Sequence, residues 1–247
     1  MKKKVGAIIQ ARMGSSRLPG KVLMKLDNEQ TILDLLIKRL KLSNTLDMII
    51  IATTSDSRNN LLIDASKIHN IAHFIGSEKN VLERCYKAAL NYELDIIIRL
   101  TSDNPFIDPI LIDEMVSFYI KNEYDYVRNN HNSNFPLGLG LEIFSFNVLK
   151  RVHNKAKTEK EKEHVTYYIY THPEEFSIFN YNWELLKKID NLRLTIDQEE
   201  DLKMCRALYE KIKEKGKKID FSIFDIIQVV EDNLDLIEIN KAVKQKQ

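Results

Sequence analysis

The chain has 247 residues, of which 44% are hydrophobic and 30% charged, with a formal net charge of +1. That size and apolar content support one large core, or a core with a small appendage, and the near-zero charge excludes a nucleic-acid or membrane-surface partner held by bulk electrostatics. The two cysteines, Cys85 and Cys205, stand far apart without metal-ligand neighbours, which argues against a disulfide framework or a zinc site and fits a reducing cytoplasm.

The apolar run 5–9 reads as a buried first strand, and it feeds directly into a loop of small residues. Gly14, Ser15, Ser16 and Gly20 alternate there with three fixed cations, Arg12, Arg17 and Lys21. Glycine and serine let the backbone approach a ligand, and successive N–H groups in such a turn form an anion-binding concavity. Two guanidinium forks and an ammonium supply the charge that a triphosphate needs. The loop lacks the Walker spacing and the Gly-x-Gly-x-x-Gly fingerprint, which disfavours a P-loop and a dinucleotide site. The Met-Lys-Lys-Lys opening is interrupted by Gln10 and Arg12 before any long apolar segment, and no stretch approaches a membrane span, so a soluble cytoplasmic protein is expected.

Helical periodicity follows over 31–42, 58–68, 81–92 and 109–121, alternating with apolar runs at 48–52, 96–100 and 124–127. Pro109 after Asp108 reads as the first position of its helix. Continuous apolar strands alternating with helices predict an α/β chain with a parallel sheet covered on both faces, and a ligand rim at the carboxyl ends of the strands. The second half is less regular. Residues 129–140 read as a long loop, 176–181 and 192–195 as strands of a mixed sheet, and 199–214 and 221–231 as helices. The polar tail after about 238 is expected to fray. With no repeat or low-complexity linker, 1–247 reads as one domain.

A cationic phosphate loop also needs oxygen ligands for Mg²⁺, usually one or two carboxylates. Asp103, in Leu100-Thr101-Ser102-Asp103-Asn104-Pro105, and Asp197, in Leu194-Thr195-Ile196-Asp197, both follow strand candidates and so fall on the rim. Local pattern alone favours a turn former or helix cap at each.

The string Gln10-Ala11-Arg12-Met13-Gly14-Ser15-Ser16-Arg17-Leu18-Pro19-Gly20-Lys21 resembles the N-terminal signature of cytidylyltransferases of the CMP-Kdo synthetase and acylneuraminate type. It is closest to their spore coat polysaccharide biosynthesis protein F branch. The Asp103 segment is similar to the family's Thr-x-Asp-x-Pro motif, and Asp197-Gln198-Glu199-Glu200-Asp201-Leu202 to its Asp-x-x-Glu-Asp-Leu signature. The resemblance implies a three-layer Rossmann-like nucleotide-diphospho-sugar transferase fold with a mostly parallel mixed sheet. It also implies Mg-dependent transfer of CMP from CTP to a sugar acid in surface polysaccharide or glycan biosynthesis. Arg12, Arg17 and Lys21 would hold the triphosphate; Ala11, Gly14, Ser15, Ser16, Gly76 and Ser77 would line the nucleotide; Asp103 and Asp197 would bind magnesium. Arg12, Lys21, Asp103 and Asp197 are then the catalytic set.

Gly76 and Ser77 read equally as a plain loop before a helix. For the acceptor, Asn129, Glu142 and His164 are the candidates, His164 because Glu161-Lys162-Glu163-His164-Val165-Thr166 resembles the Arg-Glu-His-Val-Thr element of the spore-coat branch, with Lys162 in place of the arginine. A phosphorylated small molecule is a live alternative acceptor. A nucleotide-sugar-dependent glycosyltransferase ranks lower because no Asp-x-Asp motif follows a strand, and a binding module ranks last because both aspartates accompany all three cations. The aromatics of 167–170 and 176–181 suit either a homodimer surface or a buried core.

Overall fold

Parallel pairing organises the N-terminal half. The computed structural model describes every residue except 1, 16, 132, 185, 187, 246 and 247. Strand β1 (Val5–Gln10) lies between β2 (Met48–Thr54) and β4 (Ile96–Thr101), parallel to both, and β2 pairs in parallel with β3 (Ala72–Gly76). Beyond β4, a short strand β6 (Glu142–Ser145) inserts antiparallel, then β5 (Tyr126–Arg128), then β7 (Ile178–Asn180) parallel to β5. The seven strands run in the order β3-β2-β1-β4-β6-β5-β7. This is a mixed, mostly parallel α/β sheet.

Side chains alternate across the strands, so each strand feeds two cores. Val5, Ala7 and Ile9 of β1 pack on one face against Leu33, Leu36 and Leu40 of α1 (Ile32–Leu40) and Leu111 and Met115 of α4 (Pro109–Lys121), with α2 (Asn60–Ile68) contributing Leu62. Ile8 packs on the other face with Ile50, Ile97 and Phe144, under α3 (Val81–Asn91), α5 (Phe146–Lys155) and α7 (Tyr167–Thr171). A third cluster joins α8 (Glu199–Glu214) and α9 (Ile223–Asp232) to Leu26, Phe106, Leu194 and Ile196. Short helices α6 (Glu159–Glu163) and α10 (Asp235–Glu238) complete the chain. The fully buried Arg39 donates to the carbonyls of Phe106, Ile107 and Ile219 and lies 3.7 Å from the centre of the Phe221 ring, which ties α1 to the loop behind Asp103.

Several expected elements differ. The run 192–195 forms no strand: Arg193 makes one isolated bridge to Leu137, and Leu194 N–H donates to Leu137 O at 2.7 Å. The aromatic run at 167–170 is a helical turn whose Tyr168 and Ile169 are buried, leaving Tyr170 exposed. The tail after 238, expected to fray, is tied in at Asn240, which is 2% exposed and donates to Asp201 Oδ1 at 3.0 Å and to Arg193 O at 3.1 Å. Both cysteines are buried, and burial pushes the Cys85 thiol up to about 12.

Candidate active site

The loop after β1 is shaped by its own backbone. Met13 O accepts from Ser15 N–H at 3.1 Å and from Gly20 N–H at 3.0 Å, while Met13 N–H is held by Asn59 Oδ1 at 2.8 Å. Gly20 takes φ 71°, a left-handed conformation that favours glycine, and a 3₁₀ turn over Lys21–Leu23 follows. The turn drives Lys21 inward, to 8% exposure. All three ammonium protons are used there: Nζ donates to Asp103 Oδ2 at 2.8 Å, to Ile196 O at 2.7 Å and to Asp197 Oδ1 at 3.0 Å. The backbone joins the same two segments, since Ile196 N–H donates to Asp103 O at 2.9 Å. Two aspartates 94 positions apart by number (197 less 103) thus converge on one lysine from the phosphate loop.

Arg17 adds a second cation to Asp197 Oδ1 at 2.7 Å, and Arg193 takes the other oxygen, Oδ2, at 2.7 Å. Burial alone would raise the Asp197 pKa, but Lys21, Arg17 and Arg193 outweigh it and hold the carboxyl below its ordinary value. Asp201, fully buried at the third position of α8, accepts from Arg193 Nε at 2.8 Å and from the Asp197 and Gln198 N–H groups at 2.9 and 3.0 Å. It is a helix-capping anion that fixes the Asp197 backbone.

A cavity of about 760 Å³ opens over this cluster, lined by Ala11, Arg12, Ser15, Arg17 and Lys21, by Glu78, Lys79, Val81 and Arg84 at the start of α3, and by Asp103 and Asp197. Of the expected nucleotide residues, Gly14, Gly76 and Ser77 stand back from this lining. Gly76 ends β3, where a Cβ would meet Arg84 Cγ at 2.9 Å, and Ser77 Oγ caps Asn80 N–H at 3.0 Å. Ser16 lies outside the described residues. Arg12 is half-exposed, 3.9 Å from Glu78.

A second cavity of about 810 Å³ shares Gln10, Arg12, Arg17, Asp103, His164 and Asp197 with the first and extends under the 129–140 loop. A third, about 470 Å³, continues past Arg99, Arg128, His131 and Tyr170. His164 lines all three. Asn129 is fully buried and clips the loop, its Oδ1 accepting from Leu141 N–H at 2.6 Å and its Nδ2 donating to Leu139 O at 3.0 Å. Glu142 is held by Arg99, by the Tyr126 hydroxyl and by Thr166 Oγ1 at 2.6 Å. Both residues therefore shape the wall of the second cavity. Lys162 turns to Glu159 at 3.3 Å on the surface, and the exposed His131 borders the third cavity.

A cytidylyltransferase family model matches residues 6–225. The chain belongs to the cytidylyltransferase family. It is 40% identical over 243 residues to an uncharacterized protein of Methanocaldococcus jannaschii, covering 98% of this chain and 97% of that one. It is 37% identical over 234 residues to the spore coat polysaccharide biosynthesis protein SpsF of Bacillus subtilis, covering 92% and 94%. Among solved structures, a cytidylyltransferase of Leptospira borgpetersenii superposes over the whole of both chains with a TM-score of 0.89 at 31% identity. A CMP-Kdo synthetase complexed with CTP shares the fold, with a TM-score of 0.65 at 16% identity over 85% of this chain and 99% of that one.

The protein is thus a CTP-dependent nucleotidyltransferase by family, and its fold presents the three family segments to one cleft. Sequence reasoning passed over three residues that the fold brings to the site: Arg193, Arg99 and Gln10. Arg193 lies four residues before Asp197, but no local pattern says that both Asp197 and Asp201 need its charge. The signal for Arg99 was an arginine inside an otherwise apolar strand, which demands a buried partner.

Proposed function

We propose that this chain transfers the CMP group of CTP to a sugar acid of the Kdo or nonulosonic kind and releases pyrophosphate, in surface polysaccharide or glycan biosynthesis. The observation that carries the reading is the convergence of Asp103 and Asp197 on Lys21 where two large cavities meet. The first cavity takes the nucleotide: Arg12, Arg17 and Lys21 bind the triphosphate, with Ala11 and Ser15 lining the same cavity and Gly14 and Ser16 belonging to the same loop sequence. The wall near Gly76 and Ser77 faces the base. The second cavity takes the acceptor, bounded by Asn129, Glu142 and His164.

The reaction joins an acceptor oxygen to the α-phosphorus and breaks the bond from that phosphorus to the pyrophosphate oxygen. Catalysis of such a step is mainly positioning and charge neutralisation. Arg17 and Lys21, gathered at the two aspartates, neutralise the departing pyrophosphate. Asp103 and Asp197 would hold Mg²⁺; two carboxylates plus phosphate and water are the donor set this ion prefers, and no larger cluster of His, Cys, Asp or Glu exists among the described residues. When bound, the ion supplies Lewis-acid polarisation of phosphate oxygens.

The third cavity favours a second reading, a phosphorylated small-molecule acceptor, because Arg99, Arg128 and His131 gather there. The proposal also takes 1–247 as a single nucleotidyltransferase domain acting in the cytoplasm as a homodimer, supported by the exposed Tyr170 at the end of the aromatic run 167–170; no helix among the described residues is long and apolar enough to cross a membrane. The test is pyrophosphate release with Mg²⁺ from CTP, UTP, ATP and GTP against sugar acids and phosphorylated metabolites. Release with CTP and a sugar acid, lost in Asp103→Ala, supports the proposal; turnover only with a phosphorylated acceptor replaces it with the second reading.

A further inference from the structure

Three polar side chains cross one face of the sheet at its carboxyl rim, where apolar contacts would otherwise continue. Glu142 on β6 pairs directly opposite Arg99 on β4, and Arg99 reaches diagonally to Gln10 at the end of β1. Arg99 gives one guanidinium nitrogen to Glu142 and its Nε to Gln10 Oε1 at 3.1 Å. Arginine has five donors and no acceptor. The Gln10 carbonyl oxygen must therefore face Arg99, which fixes the amide orientation without ambiguity and turns its NH₂ away.

Gln10 lines both the nucleotide cavity and the acceptor cavity. Its Nε2 has no protein partner among the described residues, whereas its oxygen does. An amide nitrogen is donor-only, so the ladder presents a fixed, uncharged donor at the boundary between the two substrates. Arg12 and Arg17 border both cavities, and the triphosphate side adds Lys21. On the acceptor side, by contrast, the Arg99 charge is matched by Glu142.

We propose that Gln10 is a specificity-determining residue whose Nε2 donates to the carboxylate of the acceptor, with Arg99 and Glu142 as positioning residues that hold the amide in that sense. The inference rests on the sugar-acid reading above for the identity of the carboxylate, but not for the side of the cleft on which Gln10 acts. A neutral donor lets an acid bind at this boundary without adding a further cation to those that Arg12 and Arg17 already place there. It rejects an acceptor that presents a donor or an apolar group at that point, because the amide is then left unpaired.

The experiment uses the full chain, Kdo as the acceptor probe, and Mg·CTP binding measured separately by calorimetry without acceptor. Gln10→Met removes the donor and keeps the size; Gln10→Glu keeps the Arg99 contact and sets an anion against the carboxylate. Expected are a rise in KM for Kdo of about tenfold for Gln10→Met and a larger one for Gln10→Glu, with CTP affinity within about twofold of wild type for Gln10→Met. Arg99→Met, which frees the amide to rotate, should raise the same KM while Gln10→Met in that background adds little further. CTP affinity reduced tenfold or more by Gln10→Met overturns the inference, because the donor then serves the nucleotide; so does a Gln10→Glu enzyme that uses Kdo as well as Gln10→Met does. If wild type releases no pyrophosphate with Kdo, the sugar-acid reading fails by itself, and the CTP-affinity arm still decides on which side Gln10 works: unchanged affinity keeps it on the acceptor side, and a tenfold loss removes it.

Discussion

Arg193 stands between Asp197 and Asp201, giving NH2 to the Oδ2 of the first at 2.7 Å and Nε to the Oδ1 of the second at 2.8 Å, with all three side chains 7% exposed or less. One guanidinium therefore sets the orientation of a site carboxylate and the first turn of α8 together. A fork geometry of this kind has no lysine equivalent.

Arg193→Ala leaves two buried carboxylates without their shared cation. Removing one partner of a buried pair costs about 3–5 kcal/mol. Urea unfolding should show a loss of that size, and Arg193→Lys should recover only part of it. A loss below about 1 kcal/mol for the alanine variant would mean that Lys21 and Arg17 alone support Asp197.

Asp103→Asn and Asp197→Asn should each lower turnover by about 100-fold or more, the scale seen when one preorganised charge-stabilising group is removed from an active site. Stability should respond differently at the two positions. Among the described residues Asp103 pairs with Lys21 alone, whereas Asp197 also anchors Arg17 and Arg193. Thermal melting should thus place Asp197→Asn well below Asp103→Asn, and equal melting temperatures would count against the assigned network.

Acid should weaken the fold through two buried carboxylates. Burial would raise Glu142, but Arg99, Thr166 and Tyr126 outweigh it, as the cations do at Asp197, so both titrate below their ordinary range in the folded state. The unfolded chain then binds more protons, and stability rises with pH across the transition. The contribution is fully present above the unfolded values, roughly pH 4, and is lost as pH falls through the lower folded values. Denaturation midpoints followed from pH 7 to pH 2 should drop steeply for wild type and less steeply for Glu142→Gln. An equally steep acid limb in that variant would show that Glu142 is not held as an anion.

Gly138 is an unusually restricted position. Its φ is +107°, and a Cβ there would meet Leu194 C and Thr195 N at 2.5 Å. Gly138→Ala must push the 129–140 loop away from the segment that ends in Asp197. A cost of about 1–3 kcal/mol is expected from the backbone conformation alone, accompanied by a rise in acceptor KM that CTP affinity does not share. Calorimetry and steady-state kinetics on the same preparation check both.

Much of the parallel half was legible because its strands are continuous apolar runs and its helices carry caps. The helix over 109–121 starts at Pro109 after the Asp108 cap, and that over 199–214 has the expected bounds. The antiparallel insertion was not legible. Strand β6 is four residues long and begins with a buried glutamate, so it shows neither an apolar run nor a clean alternation, and only its pairing with β4 and β5 makes it a strand. The half-buried β3, with a histidine at its second position, hid for the same reason. Resemblance to the family motifs brought Asp103 and Asp197 forward, the cation-rich loop brought Lys21, and the fold joins them. Asn129 and Glu142 stood out as polar residues flanking a glycine-rich loop, but their partners lie on other strands and turn them toward the loop and toward Arg99. Gln10 and Arg99 owe their roles to a cross-strand diagonal that no linear pattern encodes.

The burial of Asn240 against Asp201 and Arg193 bears on when this protein can first work. The cleft draws on residue 10 at one extreme and is braced from residue 240 at the other. A chain emerging from the ribosome can complete its first parallel strands early, since domains fold in the order in which they are made. It cannot make the Asn240 contacts to Asp201 and Arg193 until residue 240 has been added. Truncated products should therefore carry the phosphate loop without a competent centre, so that prematurely terminated chains hold no transferase activity to misdirect.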